Sequence, residues 1–310
     1  MKLSIVTTLY YSRLYVEEFY NRISQAAKII SSDFEIIFVN DGSPDDSLLI
    51  ATNIATKDPR VLVVDLSRNF GHHKAIMTGL AHANGDLIFL IDSDLEEEPE
   101  WLNSFHLKLI EQNCDVVYGV QPKRKGSLLE KFSGFIFYRL INALTNINLS
   151  ENLVTARLMT RRYVKALLTH EEREIFLAGL WATTGFDQKP MPVTKHSSSA
   201  TTYSFTQKLS LVINAVTAYS NFPLVVLFYL GLLIFGISGC YSLYLVVNRL
   251  FWSRPLDGWT SLMTSIWLLG GIIISFLGLI GLYISKIFVE TKRRPYTIVR
   301  STYRASTTLQ

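Results

Sequence analysis

Two aspartates two residues apart, Asp92 and Asp94, close the apolar run Leu87-Ile88-Phe89-Leu90-Ile91. Flanked by Gly85-Asp86 and by Glu96-Glu97-Glu98-Pro99, that run reads as a strand buried on both faces. Alternate residues of an extended chain point the same way, and ligands of open parallel sheets bind beyond the carboxyl ends of strands. Two carboxylates this close call for a cation. A small number of hard oxygen donors suits Mg²⁺ or Mn²⁺, which share their coordination with phosphate. The same triplet also reads as an acidic turn leading into a helix at Pro99-Glu100-Trp101, whose N-terminus favours negative charge.

The elements that must position these carboxylates follow from the hydrophobic pattern. Strand signals at Leu3 to Leu9, Phe34 to Asn40, Val61 to Leu66, Leu87 to Ile91 and Val116 to Val120 alternate with helix signals at Val16 to Ile30, Ser47 to Lys57, His73 to Ala83 and Trp101 to Gln112. Such alternation predicts an α/β fold with a parallel, doubly wound sheet. Three strand ends then share one edge: Thr8-Leu9-Tyr10, Asn40-Asp41-Gly42-Ser43 and Asp92-Ser93-Asp94. No Gly-x-Gly-x-x-Gly follows the first strand, so a dehydrogenase-type phosphate loop is excluded. Asp41 could accept hydrogen bonds from a base or ribose, although its surroundings also have the composition of a plain turn. His72-His73-Lys74 reads as a helix N-terminus, because adjacent histidines on a helix face different ways and make a poor metal pair.

The chain has 310 residues, 49% of them apolar, and a mean hydropathy of +0.23, greasier than an ordinary soluble chain. Phe222 to Val247 and Leu262 to Ile284 are nearly uncharged and predict two transmembrane helices of roughly 39 and 34 Å, against a hydrocarbon core of about 30 Å. The N-terminus opens as a strand without the pattern of a signal peptide, so the first two hundred residues are expected to be cytosolic. Lys286, Lys292, Arg293, Arg294, Arg300 and Arg304 follow the second span, whereas the loop between the spans carries only Arg249 and Arg254 against Asp257. Positive residues stay inside, which puts both termini in the cytoplasm. The stretches Gly126 to Asn146 and Phe205 to Tyr219 read as amphipathic helices able to lie on lipid. The formal net charge of +4 clusters near these segments and favours anionic lipid over nucleic acid. Cys114 and Cys240 have no metal-site spacing and read as packing residues.

Taken together, the strand ending near Tyr10, the turn Asn40-Asp41-Gly42-Ser43, the run Leu66-Ser67-Arg68-Asn69-Phe70-Gly71-His72, the triplet Asp92-Ser93-Asp94 and two carboxyl-terminal spans resemble family 2 glycosyltransferases. Within that group the chain is most similar to polyprenyl-phosphate glycosyltransferases. The resemblance implies a GT-A fold with a Rossmann-like, mostly parallel sheet in a catalytic domain over residues 1–204. A membrane-surface helix (205–221), two transmembrane helices (222–289) and a basic cytoplasmic tail (290–310) would follow. It implies a nucleoside-diphosphate sugar as donor, with Thr8, Tyr10, Asp41, Arg68 and Asp92 lining its pocket. Asp92 and Asp94 would hold the metal, and Glu96, where relatives usually carry Gln, would be an altered third contact. The acceptor would be a polyisoprenyl phosphate and the transfer inverting; a homo-oligomer stays open.

Relatives carry Gly-Asp-Phe-Arg-Leu where this chain reads Val154-Thr155-Ala156-Arg157-Leu158, so the carboxylate near the acceptor is replaced by Thr155. A lipid phosphate is already a dianion above about pH 6 and needs no general base; Arg157 would then orient it, with Lys123 and Arg124 nearby. A hydroxyl acceptor on a lipid-linked glycan would need a base, which Thr155 cannot be, so the chain would be impaired or would recruit Glu151. A third reading is a non-catalytic partner of a lipid-sugar flippase. Arg157 also reads as part of a solvated basic helix face running to Arg162.

Overall fold

The computed structural model describes residues 1–122, 152–195, 222–252 and 258–305. They fall into two compact units, an α/β unit that includes the residues from Arg294 onward and a unit of two long helices. The α/β unit contains β1 (Leu3–Leu9), α1 (Val16–Ile30), β2 (Phe34–Asn40), α2 (Ser47–Lys57), β3 (Val61–Leu66), α3 (His72–His82), β4 (Leu87–Leu90) and α4 (Trp101–Gln112). It continues with β5 (Val116–Val120), β6 (Leu153–Thr160), α5 (Arg161–Leu167), α6 (Leu177–Thr183), β7 (Gln188–Pro192) and, after the long helices, β8 (Val299–Tyr303).

The strands form one sheet in the order β7-β5-β6-β4-β1-β2-β3-β8. β1 to β4 are mutually parallel, as the alternating pattern requires. The flanks differ from that expectation: β6 runs antiparallel between β4 and β5, and β8 runs antiparallel to β3. Successive strand residues feed opposite layers. Ile5 and Phe89 pack with Phe19 and Ile23 of α1 and Phe105 of α4, while Val6 and Ile88 pack with Ile76 and Leu80 of α3 and Tyr163 of α5. In α1 the buried Val16, Phe19, Ile23 and Ala27 recur every three or four residues, so one stripe of the helix faces the sheet. Cys114 is buried in the first of these layers, as expected of a packing residue.

Residues 290–310 are not simply a basic tail. Val299–Tyr303 pair with β3, Ser67 N–H donates to Ile298 O (2.9 Å), and Arg300 Nη2 donates to Ser67 O (2.6 Å). An open sheet edge is a liability, and here the returning chain covers the edge of β3.

The second unit holds α7 (Phe222–Trp252) and α8 (Trp259–Thr291). Among the described residues one segment, Leu269–Thr291, is long and apolar enough to cross a membrane, and a shorter apolar stretch, Phe222–Gly231, opens α7. The two expected amphipathic surface helices, together with Lys123, Arg124 and Glu151, lie outside the described residues.

Candidate active site

The path β1-α1-β2-α2-β3 moves one way along the sheet, and α3 then carries the chain back to β4 on the other side of β1. The carboxyl ends of β1 and β4 therefore flank the point where strand order reverses, which is where open α/β sheets leave a crevice. Asp92-Ser93-Asp94 begins there. Ser93 points inward and is buried; its hydroxyl donates to Thr8 O (2.8 Å) and lies 3.1 Å from Ser12 Oγ. Asp92 and Asp94 on either side of it are both half-buried. Glu96 N–H donates to Asp94 Oδ1 (3.0 Å), closing a turn in which Leu95 adopts φ 60°, a left-handed conformation costly for a leucine.

His72, at the first turn of α3, joins this group. Its Nδ1 lies 3.1 Å from Thr8 Oγ1 and its Nε2 lies 3.4 Å from Asp92 Oδ1. The sequence motif gave His72 no role beyond a helix start, because only the fold brings β1, α3 and β4 together. His73 turns away, with Nδ1 3.1 Å from Ile175 O, and burial holds its pKa down.

Asp41 sits at the end of β2 with one oxygen accepting from Phe70 N–H (2.7 Å) and the other from Gly71 N–H (3.0 Å). Burial pushes its pKa up despite those two bonds. Asp41 thus clamps the loop carrying Arg68, whose guanidinium carbon lies 4.3 Å from the Phe70 ring centroid. Tyr10 and Tyr11 are exposed beside it, their rings edge to face at 4.8 Å. The turn leading to α2 is held by Asp45, which accepts from Ser43 Oγ (2.6 Å), Ser47 Oγ (2.5 Å) and the backbone of Ser47 and Arg13. These donors outweigh the effect of burial and hold its pKa down at about 2. A lowered carboxylate pKa gives stability that is present above about pH 4 and is lost as pH falls through about 2. Asp45→Ala is therefore expected to cost about 1–2 kcal/mol at pH 7, and less as pH falls from about 4 toward 2. Fluorescence-monitored melting across that range checks it.

Beyond the turn the chain carries three successive glutamates, and they separate. Glu96 Oε2 pairs with Lys195 Nζ at 3.2 Å. Glu97 is fully buried; Oε1 accepts from Thr155 N–H (2.9 Å), and Oε2 has no hydrogen-bond partner among the described residues. Burial, with Asp92 adding to it, pushes the Glu97 pKa up to about 8. Asp94 is raised by the same two causes in the same order. Burial works against the charge of Lys195, but Glu97, Asp92, Asp94 and Glu96 more than offset it and raise its pKa. Neither Glu97 nor Lys195 stands out in the sequence.

Two expectations for Arg157 meet a different environment. It lies on β6, opposite Leu90 of β4 and Tyr118 of β5, so the solvated helix face is corrected: the helix starts only at Arg161. It is also among the largest fully buried side chains, with its guanidinium over the Trp181 ring and Nε donating to Thr155 O (3.3 Å). That burial pulls its pKa down to about 9, and its Nη2 has no hydrogen-bond partner among the described residues. The aromatic face compensates part of the cost of burying the cation.

The donor set fits a divalent cation of one kind. Among the described residues no three His, Cys, Asp or Glu converge as a ready-made cage. Asp92 and Asp94 are nevertheless close enough for Asp92 to raise the Asp94 pKa, which marks an excess of negative charge. Mg²⁺ and Mn²⁺ sites commonly take one or two protein carboxylates and complete the shell with substrate phosphate and water.

The mostly parallel α/β sheet, with a carboxylate pair at its switch point and a clamped loop over the neighbouring strand ends, is GT-A-like in fold. The sequence profile of glycosyl transferase family 2 matches residues 4–168, and the chain belongs to that family. A Mycobacterium tuberculosis protein named among the glycosyltransferases is 52% identical over 308 residues, covering 99% of this chain and 90% of its own length. The bactoprenol glucosyl transferase of Shigella phage SfII is 30% identical over 310 residues, covering 99% of this chain and 100% of its own. Among solved structures, the Mycobacterium tuberculosis glucosyl-3-phosphoglycerate synthase with Mn²⁺, UDP-glucose and phosphoglyceric acid is similar with a TM-score of 0.47 and 19% identity. That match covers 70% of this chain and 79% of the other.

Proposed function

We propose that this glycosyltransferase moves one sugar from a nucleoside diphosphate sugar onto a polyisoprenyl phosphate, of the undecaprenyl kind, at the cytoplasmic face of a membrane. The observation that carries the reading is end-to-end similarity to bactoprenol glucosyl transferases. The nucleoside lies across the ends of β1 to β3, where Thr8, Tyr10, Asp41 and Arg68 line its place, and the diphosphate reaches the end of β4. Asp92 and Asp94 would hold Mg²⁺ or Mn²⁺, which when bound would supply Lewis-acid stabilisation to the leaving diphosphate. His72 orients Asp92, and Lys195 offsets charge at the outer side of the carboxylate cluster.

An acceptor phosphate oxygen attacks the anomeric carbon as the bond to the diphosphate oxygen breaks, inverting that carbon in one displacement. The acceptor brings its own negative charge, so Thr155 in place of a carboxylate is consistent with the chemistry. α7 and α8 serve as two spans, with the basic residues after α8 keeping both termini cytoplasmic. The test uses full-length protein in lipid nanodiscs with undecaprenyl phosphate, Mn²⁺ and radiolabelled nucleotide sugars. The expected product is a single labelled sugar on lipid, released by mild acid at its anomeric phosphodiester. Label appearing only on a longer lipid-linked glycan, or on no lipid, would overturn the reading.

A further inference from the structure

Beside the carboxylate cluster lies a cavity of about 200 Å³ bordered by the end of β5, the start of β6 and Lys195. We propose that this cavity seats the sugar of the donor, and that the carboxamides of Gln121 and Asn152 read its hydroxyls. The inference rests on the nucleotide-sugar reading above and adds the residues that set which sugar is taken.

Position is the first argument. Along the sheet the order is β5-β6-β4-β1-β2-β3, so the Asp41 clamp lies on one side of Asp92 and Asp94 and the cavity on the other. A nucleoside diphosphate sugar is a linear molecule with its diphosphate in the middle. With the nucleoside beyond β1 and the diphosphate at β4, the sugar must extend toward β6 and β5.

Chemistry is the second. Gln121 and Asn152 each offer a donor and an acceptor, Thr155 a hydroxyl, Lys195 donors, and Glu97 a carboxyl whose Oε2 is buried and unpartnered among the described residues. That mixture matches a ring of hydroxyl groups. Among the described residues the remaining lining is Leu153 and Val154, which offer a nucleobase no ring to stack on. Geometry also fixes the two amide residues: Gln121 N–H donates to Asn152 O (3.1 Å), and Asn152 stands at φ 58°, a left-handed conformation that asparagine tolerates better than most residues.

The test compares wild type with Gln121→Ala and Asn152→Gly, the glycine keeping the left-handed backbone while removing the carboxamide. Donor KM is measured for the best substrate in a panel of UDP- and GDP-hexoses, with acceptor KM and the affinity for the free nucleoside diphosphate alongside. Loss of one hydrogen bond should raise donor KM roughly three- to tenfold, with acceptor KM and free nucleotide affinity within about twofold of wild type. A donor analogue lacking the hydroxyl read by the missing amide should be discriminated by wild type and not by the variant. Unchanged donor KM and selectivity in both variants overturns the assignment while the transferase reading stands. A rise in acceptor KM alone assigns the cavity to the acceptor and overturns it as well. Parallel loss of free nucleotide affinity marks a merely structural role and also counts against it. Absence of transfer by wild type from every nucleotide sugar removes the underlying reading, and the cavity's role with it.

Discussion

The double variant Asp92→Asn, Asp94→Asn is expected to lose about 10²–10³ in kcat and, in the presence of a chelator, to melt higher than wild type. Both effects come from one arrangement. Burial and the charge of Asp92 together raise the pKa of Asp94, and the same two causes raise that of Glu97. Without a counter-ion the charges of Asp92 and Asp94 oppose each other, and Lys195 offsets only part of that. Two amides keep the shape and remove the repulsion, for a gain of roughly 1 kcal/mol; the 3.4 Å contact of His72 with Asp92 is half exposed and its loss is smaller. Radiolabel transfer and melting with EDTA measure the two halves separately. Full activity in the variant would remove Asp92 and Asp94 from the reaction, and a lower melting temperature would show that the cluster is not self-repelling.

Gly42→Ala is expected to cost about 2–4 kcal/mol and to raise donor KM more than tenfold. Gly42 has φ +60°, and a Cβ there would stand 2.5 Å from both Arg68 C and Asn69 N. Those are backbone atoms, so the loop itself must move. The movement pulls Phe70 and Gly71 N–H away from Asp41, whose buried carboxylate then loses both donors. Gly71→Ala is the control. Gly71 also has a positive φ, +101°, but nothing lies within 4 Å of its would-be Cβ, so only backbone strain is added. Chemical denaturation and donor titration of the two variants should separate clearly; equal behaviour would mean that the close approach at Gly42 does not hold the loop.

The parallel core was legible because each of β1 to β5 is a short apolar run between turn residues, and α1, α2 and α4 start and stop at the residues their periodicity indicates. β6 was not. An arginine within Val154-Thr155-Ala156-Arg157 argues against a central strand, and the Trp181 ring, supplied from α6, together with the bond from Nε to Thr155 O offsets part of the cost of that burial. Of the site, the pair Asp92 and Asp94 was visible as alternation at a strand end. Glu97 was hidden between two other glutamates, and the left-handed Leu95 just before them is a backbone fact that composition does not carry. His72 and Lys195 reach the carboxylates from the start of α3 and from beyond β7, separations that no local pattern encodes.

The last strand of the sheet is made after the long helices, so in topological terms those helices are an insertion within one domain. A protein ended before Phe205 is therefore an incomplete sheet. It bares the hydrogen-bonding edge of β3 and takes Arg300 from the buried Asp65, 3.5 Å away, and Thr297 from the Thr78 hydroxyl. A water-soluble version calls for excision, with β8 rejoined to the chain after β7, because truncation yields a fragment prone to pair edge to edge with its own copies.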